Sequence, residues 1–440
     1  MSSIVKQFVS CLFASLILTA CSDDELLLEG ERLDLRSGSS SNAVAQDAVA
    51  RAQPLALAAP VVNATWSHTN GSPSHKIAHP ALDRSLARAW SASIGQGNGR
   101  KHRITADPVV ADGRIFTLDS RTLVTAFTTS GQILWSRDLT PSSDDTDDAS
   151  GGGLAVSSGT LFVTSGFGML TALDAASGAT LWVQDLDSVA SGAPTAVNGV
   201  VYAVTRNATG WAIDAQNGRI LWQVLGAPST TGIAGGPAPV VAGPLVVFPF
   251  ASGQMLAAAA NVGSPAWIAS VAGKRLNRSF SRISDLSGDP VADGSRIYAG
   301  NHAGRAAAFD SATGQTVWTA NEGAINAPWL AGGSLFFVTD ENQLVRLDAA
   351  TGQTVWMREL PFFRRQKIGR RKATFAHFGP VLAGGRLILA SDDGTLREFD
   401  AETGALIAET ELPDGAARNP VVAGGNLYVV TANGQIHAFR

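Results

Sequence analysis

The sequence predicts an all-β protein: an eight-bladed β-propeller of four-stranded antiparallel blades, closed by an N-terminal strand that completes the last blade. Three observations carry this. A phrase ending in tryptophan returns with a period of roughly 45 residues, a spacing that means one supersecondary unit copied many times. It runs L-T-A-L-D-A-A-S-G-A-T-L-W from Leu170 to Trp182, recurs to Trp222, Trp318 and Trp356, and has looser copies ending at Trp135 and Trp267. A second phrase, an apolar pair after proline and then a glycine turn, opens each unit at Pro108, Pro194, Pro239, Pro290, Pro328, Pro380 and Pro420, and without the proline at Gly153. Finally, the last unit stops at Arg440 before its outer strand, while Leu86 to Ser91 has the outer-strand pattern with its own Trp90. An open solenoid would leave both terminal units uncapped.

From the N-terminus, residues 1–20 read as a secretion signal. Lys6 gives a positive start, and Phe8 to Leu18 is apolar but too short to span a membrane as a mature helix. Leu18-Thr19-Ala20-Cys21 resembles the lipobox of bacterial lipoproteins, which implies lipidation of Cys21; by the same resemblance, Ser22 favours the outer membrane. Cys11 would leave with the signal, so no disulfide is expected in the mature chain. Residues 21–65, rich in Ser and Ala and without an aromatic residue, read as a flexible tether. Asp23, Asp24, Glu25, Glu29, Glu31, Asp34 and Asp47 outweigh Arg32, Arg36 and Arg51 there, so the body over 66–440 is close to neutral. Neutrality and secretion exclude a nucleic-acid partner.

Within the body, 46 glycines and only 16% charged residues in 440 suit short strands joined by tight turns. The repeated residues have structural work. Gly178, Gly218, Gly314 and Gly352 permit positive φ before the outer strand, and Asp174, Asp214, Asp310, Asp348 and Asp400 bind local backbone amides. The tryptophans are expected to pack between blades. Ala408 takes the tryptophan place in the seventh unit, which predicts looser packing there.

Function is sought in what varies between copies. Connections from each outer strand to the next blade share one face of a propeller. Here they hold Arg100-Lys101-His102-Arg103, Asp144 to Asp148, Lys274 to Asp285 and Arg364 to Lys372. The cations Arg364, Arg365, Lys367, Arg370, Arg371 and Lys372 beside Phe362 and Phe363 suit an acidic protein or an anionic lipid, or a solvated loop with no partner. Asp144 to Asp148 lacks the spacing of a calcium loop. His68, His75 and His79 lack further ligands for a metal. No cofactor is expected, and no GxSxG, HExxH or P-loop signals catalysis.

The tryptophan phrases resemble the repeat of pyrroloquinoline quinone enzymes, and together with the lipobox they resemble the BamB family, lipoprotein propellers of the outer-membrane β-barrel assembly machinery. The resemblance spans about Trp66 to Arg440 and includes Arg282-Ile283-Ser284-Asp285 and the tryptophan lost at Ala408. It implies a non-catalytic scaffold on the periplasmic face of the outer membrane. Its expected partners are the periplasmic domains of BamA, other subunits of the machinery and client β-barrel chains. Family contacts come from loops entering the fourth and fifth blades, which places an apolar contact at Ile233 and polar ones at Arg282 and Asp285. Ala234 and Ser287 depart from the family pattern, where arginine and a second aspartate occur. The competing readings are a quinone-dependent periplasmic dehydrogenase, which would need clamping residues, calcium and usually a vicinal cysteine pair, and a periplasmic sensor or cell-wall-binding propeller.

Overall fold

Blade 1 shows how the repeat folds. Its strands, Val109–Ala111, Arg114–Leu118, Leu123–Thr128 and Ile133–Asp138, hydrogen-bond in that order from the ring axis outward. The first three are almost entirely buried, whereas the outer one exposes Ile133 and Leu134 and turns Trp135 inward. The computed structural model describes residues 53–190, 192–229, 235–273, 275 and 285–440. The signal-like segment, Cys21, the tether up to residue 52, Ile233, Ala234 and Arg282 lie outside the described residues.

The described residues form eight four-stranded antiparallel sheets, as the repeats predict. Blades 2 to 7 occupy 152–185, 195–225, 240–270, 286–320, 329–359 and 377–411. Blade 8 takes its three inner strands from 421–439 and its outer strand from Arg88–Ser93, with Trp90 opposite Ala438 and Ala92 opposite Ile436. Two backbone bonds between Ala87 and Arg440 extend this seam, at 2.9 and 3.0 Å. Chain ends that are joined side by side leave no terminal sheet edge open.

The tryptophans lie between blades, as expected. Most pack on an aromatic residue of their own second strand, as Trp135 does on Phe116 and Trp318 on Tyr298, with centroids 5.9 and 6.1 Å apart, whereas Trp267 has Val247 in that place. Ala126 and Ala308 on the third strands make room for Trp135 and Trp318, whereas Trp356 lies opposite Arg346. In Trp135, Trp182, Trp267 and Trp318 the indole Nε1–H donates to a turn of the following blade, at Ala175 O, Ala215 O, Ser311 O and Ala349 O, while the buried Nε1 of Trp222 and Trp356 makes no such bond. Ala408 has a geometric cause. The following blade is the eighth, whose third and outer strands come from opposite ends of the chain, so no connecting turn exists there for an indole to meet. The third strand of blade 7 instead carries Glu398, buried against Arg386, which also donates to Asp83 O. The site is therefore filled partly by a buried ion pair, not simply loosened.

The stretch read as tether up to residue 65 reaches further into the fold than its composition suggests. Residues 53–85 cross the face opposite the long loops and touch every blade. Asn63 Nδ2 donates to Val422 O of blade 8 (2.7 Å), and Trp66 exchanges backbone bonds with Val110 of blade 1. Ser67 O accepts from Val156 N of blade 2, and His68 Nε2 lies 3.0 Å from Ala196 O of blade 3. Pro73 O and Ser74 O accept from Val241 and Ala292 of blades 4 and 5, and Trp66 stacks on Trp329 of blade 6 at 5.9 Å. His79 Nε2 accepts from Gly385 N of blade 7 (2.8 Å). Leu55 and Leu57 pack against the core nearby. Many of these contacts are single backbone or polar groups, and the apolar ones have no regular spacing, so a search for hydrophobic periodicity does not register them.

Candidate functional site

The short inner strands converge on the axis, and at the loop face residues at and beside their entries tie each blade to the next. Thr105 Oγ1 donates to Gly152 O (2.8 Å), Thr164 Oγ1 to Gly192 O (2.6 Å) and Thr195 Oγ1 to Pro239 O (2.6 Å), joining blades 1 to 4. Asp289 Oδ1 accepts from Ala238 N (2.6 Å), Ser287 Oγ donates to Ala324 O (2.7 Å), and Asn326 Nδ2 donates to His377 O (2.9 Å). Gly379 N donates to Asn419 Oδ1 (2.9 Å), and Asp107 closes the circuit by accepting from Arg418 Nε (2.7 Å) and Asn419 Nδ2 (2.9 Å). This belt encloses an axial cavity of about 190 Å³ with Thr69 of the arm in its lining. Burial raises the Asp289 carboxyl to about 6, against the opposing effect of its bond from Ala238. Sequence reading assigned no role to Asp107, Asp289 and Asn419. Their signal was a polar side chain directly before the recurring proline.

Outward from the belt lie the long loops. His102 Nε2 donates to Asp147 O (3.1 Å) and Arg121 pairs with Asp147 (3.0 Å), so the acidic loop at 144–148 is tied to blade 1 and its basic neighbour. Within it, Asp145 N donates to Asp148 Oδ2 (2.8 Å). Arg275 holds the Asp340 carboxylate through Nε (2.6 Å) and Nη2 (3.1 Å), with Glu341 at 3.7 Å. Burial raises the nearby Glu322 carboxyl.

Of the three residues expected to grip a partner, Asp285 is described, and it is buried. Its carbonyl accepts from His302 N (3.1 Å), and the residue lines a cleft of about 50 Å³ with Val189, Arg206, Pro249 and Ser287. The cleft lies between the loops entering blades 3, 4 and 5, so the acidic group is set in a wall, not displayed on a loop tip. Arg364, Arg365, Lys367, Arg370, Arg371 and Lys372 come together in the exposed loop entering blade 7. Arg364 pairs there with Asp392. The three histidines of the arm are backbone anchors, and no group of acidic, histidine or cysteine side chains among the described residues is arranged to hold a metal ion.

Comparison with known proteins bears on this face. The family profile described as outer membrane protein assembly factor BamB matches residues 120–358 and 365–440. The BamB of Shewanella oneidensis is 26% identical over 358 residues, covering 79% of this chain and 87% of that protein. The crystal structure of BamB from Moraxella catarrhalis superposes with a TM-score of 0.67 at 19% identity, covering 81% of this chain and all of that one. A europium-containing methanol dehydrogenase has nearly the same fold, with a TM-score of 0.66 at 14% identity over 86% of this chain and 98% of its own. These two structural likenesses concern the fold alone.

The axial residues do not suit the quinone of the competing dehydrogenase reading. A tricarboxylate quinone placed there would face Asp107 and Asp289, and the arginine in the cavity lining, Arg418, is already paired with Asp107. A buried anion without a free cationic partner is strongly disfavoured. The belt spends these polar groups on holding blades together. With the profile matched over most of its length, the chain belongs to the BamB family of outer membrane protein assembly factors.

Proposed function

We propose that this protein is a non-catalytic scaffold of the β-barrel assembly machinery. In this reading a lipid on Cys21 anchors it to the periplasmic face of the outer membrane. It holds the periplasmic part of a BamA-like protein through the loops entering blades 4 and 5, and by doing so aids the folding and insertion of client β-barrel chains. The observation that supports this most is the division of the ring into two unlike faces. The arm covers one, tied to all eight blades, while the other carries the long loops and the Asp285 cleft. A rigid ring presenting variable loops on one face is built for binding.

In this reading Ile233 supplies an apolar contact and Arg282 a charged one, with Asp285 meeting a donor that reaches into the cleft. Ile233→Asp is expected to reduce recovery of the BamA-like partner in a pull-down from solubilised membranes by at least about tenfold, the loss typical of an interface anchor. Circular dichroism should be unchanged. Asp285→Asn keeps the shape of the buried group while removing its charge, and should weaken recovery less. Full recovery from both variants would sink the assignment of this surface.

A further inference from the structure

The excursion between blades 6 and 7 is a built element. Phe363 and Thr374 bridge its base, Arg364 N donates to Ala373 O (2.9 Å), and Phe375 N donates to Phe362 O (2.8 Å). Phe362 and Phe363 pack edge to face at 4.6 Å. Two of its cations are fixed against rings: Arg364 lies 5.2 Å over Phe375 and Arg371 lies 5.1 Å over Phe363. The tip is one short turn, Ile368–Arg370, where Ile368 is 81% exposed. Around it Arg365, Lys367, Arg370 and Lys372 are exposed and make no ion pair among the described residues. Neither cavity described above reaches this loop.

We propose that this loop is a membrane-docking element for an anionic phospholipid surface. Ile368 enters the headgroup boundary while the four unpaired cations meet lipid phosphates. An isolated exposed isoleucine costs solvation in water and gains it back at an interface. Cations spread around an apolar tip, outside both cavities described above, suit a surface that demands charge without shape. A protein interface is built on a packed apolar core depleted in lysine, and one exposed isoleucine among four cations supplies little of that. Each basic residue near an anionic leaflet strengthens binding by about fivefold, so four act together where one would be negligible. This role does not depend on the partner contacts at blades 4 and 5, since the loop enters blade 7.

The test is flotation of purified protein with vesicles of phosphatidylcholine alone, or with about one-third phosphatidylglycerol added. The protein carries Cys21→Ser, so that no acyl chain at that position contributes. Flotation is expected only with the anionic vesicles, falling as ionic strength rises from about 0.1 to about 0.5 M and screening shortens. Arg365→Glu, Lys367→Glu and Arg370→Glu combined should weaken it by at least about a hundredfold. Ile368→Ser should weaken it by about tenfold. An environment-sensitive dye on Ile368→Cys, in a background with Cys11→Ser as well, should shift to the blue on binding. Equal flotation with neutral vesicles, or unchanged flotation of the triple variant, would overturn the proposal. So would a dye that stays in water while the triple variant loses an acidic protein from pull-downs, which would make this a protein-docking loop.

Discussion

Gly352 and Gly113 have nearly the same backbone conformation and opposite surroundings. Their φ angles are +73° and +69°, both in the left-handed region that disfavours other residues. A Cβ on Gly113 would meet nothing within 4 Å, whereas one on Gly352 would lie 2.5 Å from Trp318 Cε3, against the indole that crosses from the preceding blade. The repeated glycine is therefore fixed twice, by its turn and by its neighbour's tryptophan. Gly113→Ala should cost about 1 kcal/mol, the conformational penalty alone. Gly352→Ala should cost about 2–4 kcal/mol, because the ring must also move in a packed interface. Urea unfolding of both variants checks this. Equal losses would show that the stacked indole adds nothing. The sequence made the turn legible, because φ is a local property of four or five residues. The indole above it was not legible, since its tryptophan comes from another blade.

At the scale of an element, the arm across the ring is the least legible part of the fold and has a distinct pH signature. Its polar contacts are single groups reaching different blades, and its apolar ones, such as Trp66 on Trp329, fall at no regular spacing, so there is no period to detect. The same holds for the belt around the axis, whereas the strands repeat because every blade buries the same stripe. Within the arm, burial lowers His68 to about 3, helped by the nearby His75, and burial lowers His75 to about 4, against an ordinary value of 6.5. His75 Nδ1–H donates to Pro290 O (2.6 Å), which opposes the lowering, but its buried Nε2 has no partner to accept a second proton, so burial wins and the ring stays neutral. The unfolded chain takes up protons below about 6.5 while the folded arm does not. Stability is therefore full above that value and falls as pH drops toward 4. At pH 5 each histidine should remove about 2 kcal/mol. Asp289 works in the opposite sense. With its carboxyl raised to about 6, it favours the folded state at low pH and loses that contribution as pH rises through 6. Comparing unfolding midpoints at pH 7 and 5 in the parent and in His75→Gln isolates the histidine. The variant should lose clearly less stability on acidification, and an identical loss would remove His75 from the account.

The whole molecule depends on a seam between its two ends, and here sequence reasoning reached furthest. A unit cut short at Arg440 and a spare tryptophan-bearing strand at Trp90 can be matched by counting alone. Counting did not explain Ala408, because its cause is the missing covalent turn at that seam, visible only once the ring is closed. The proposed partner surface rests mainly on family resemblance. Of its three residues Asp285 is described, and its burial shows that a position matched by sequence need not be displayed as a contact. The closure itself makes a prediction. Ser91 lies opposite His437 across the seam, and the body of the chain from residue 53 onward contains no cysteine. Ser91→Cys with His437→Cys should form a disulfide under oxidising conditions, seen as a mobility shift in non-reducing gels. Because it encloses nearly the whole ring, the bond should raise stability by about 2–4 kcal/mol in urea unfolding, a gain lost on reduction. Neither cysteine alone should do so, and a stabilisation that survives reductant would point to repacking at the buried His437 instead. Failure of the pair to oxidise would count against this register, since opposed residues on paired strands lie close enough to bridge.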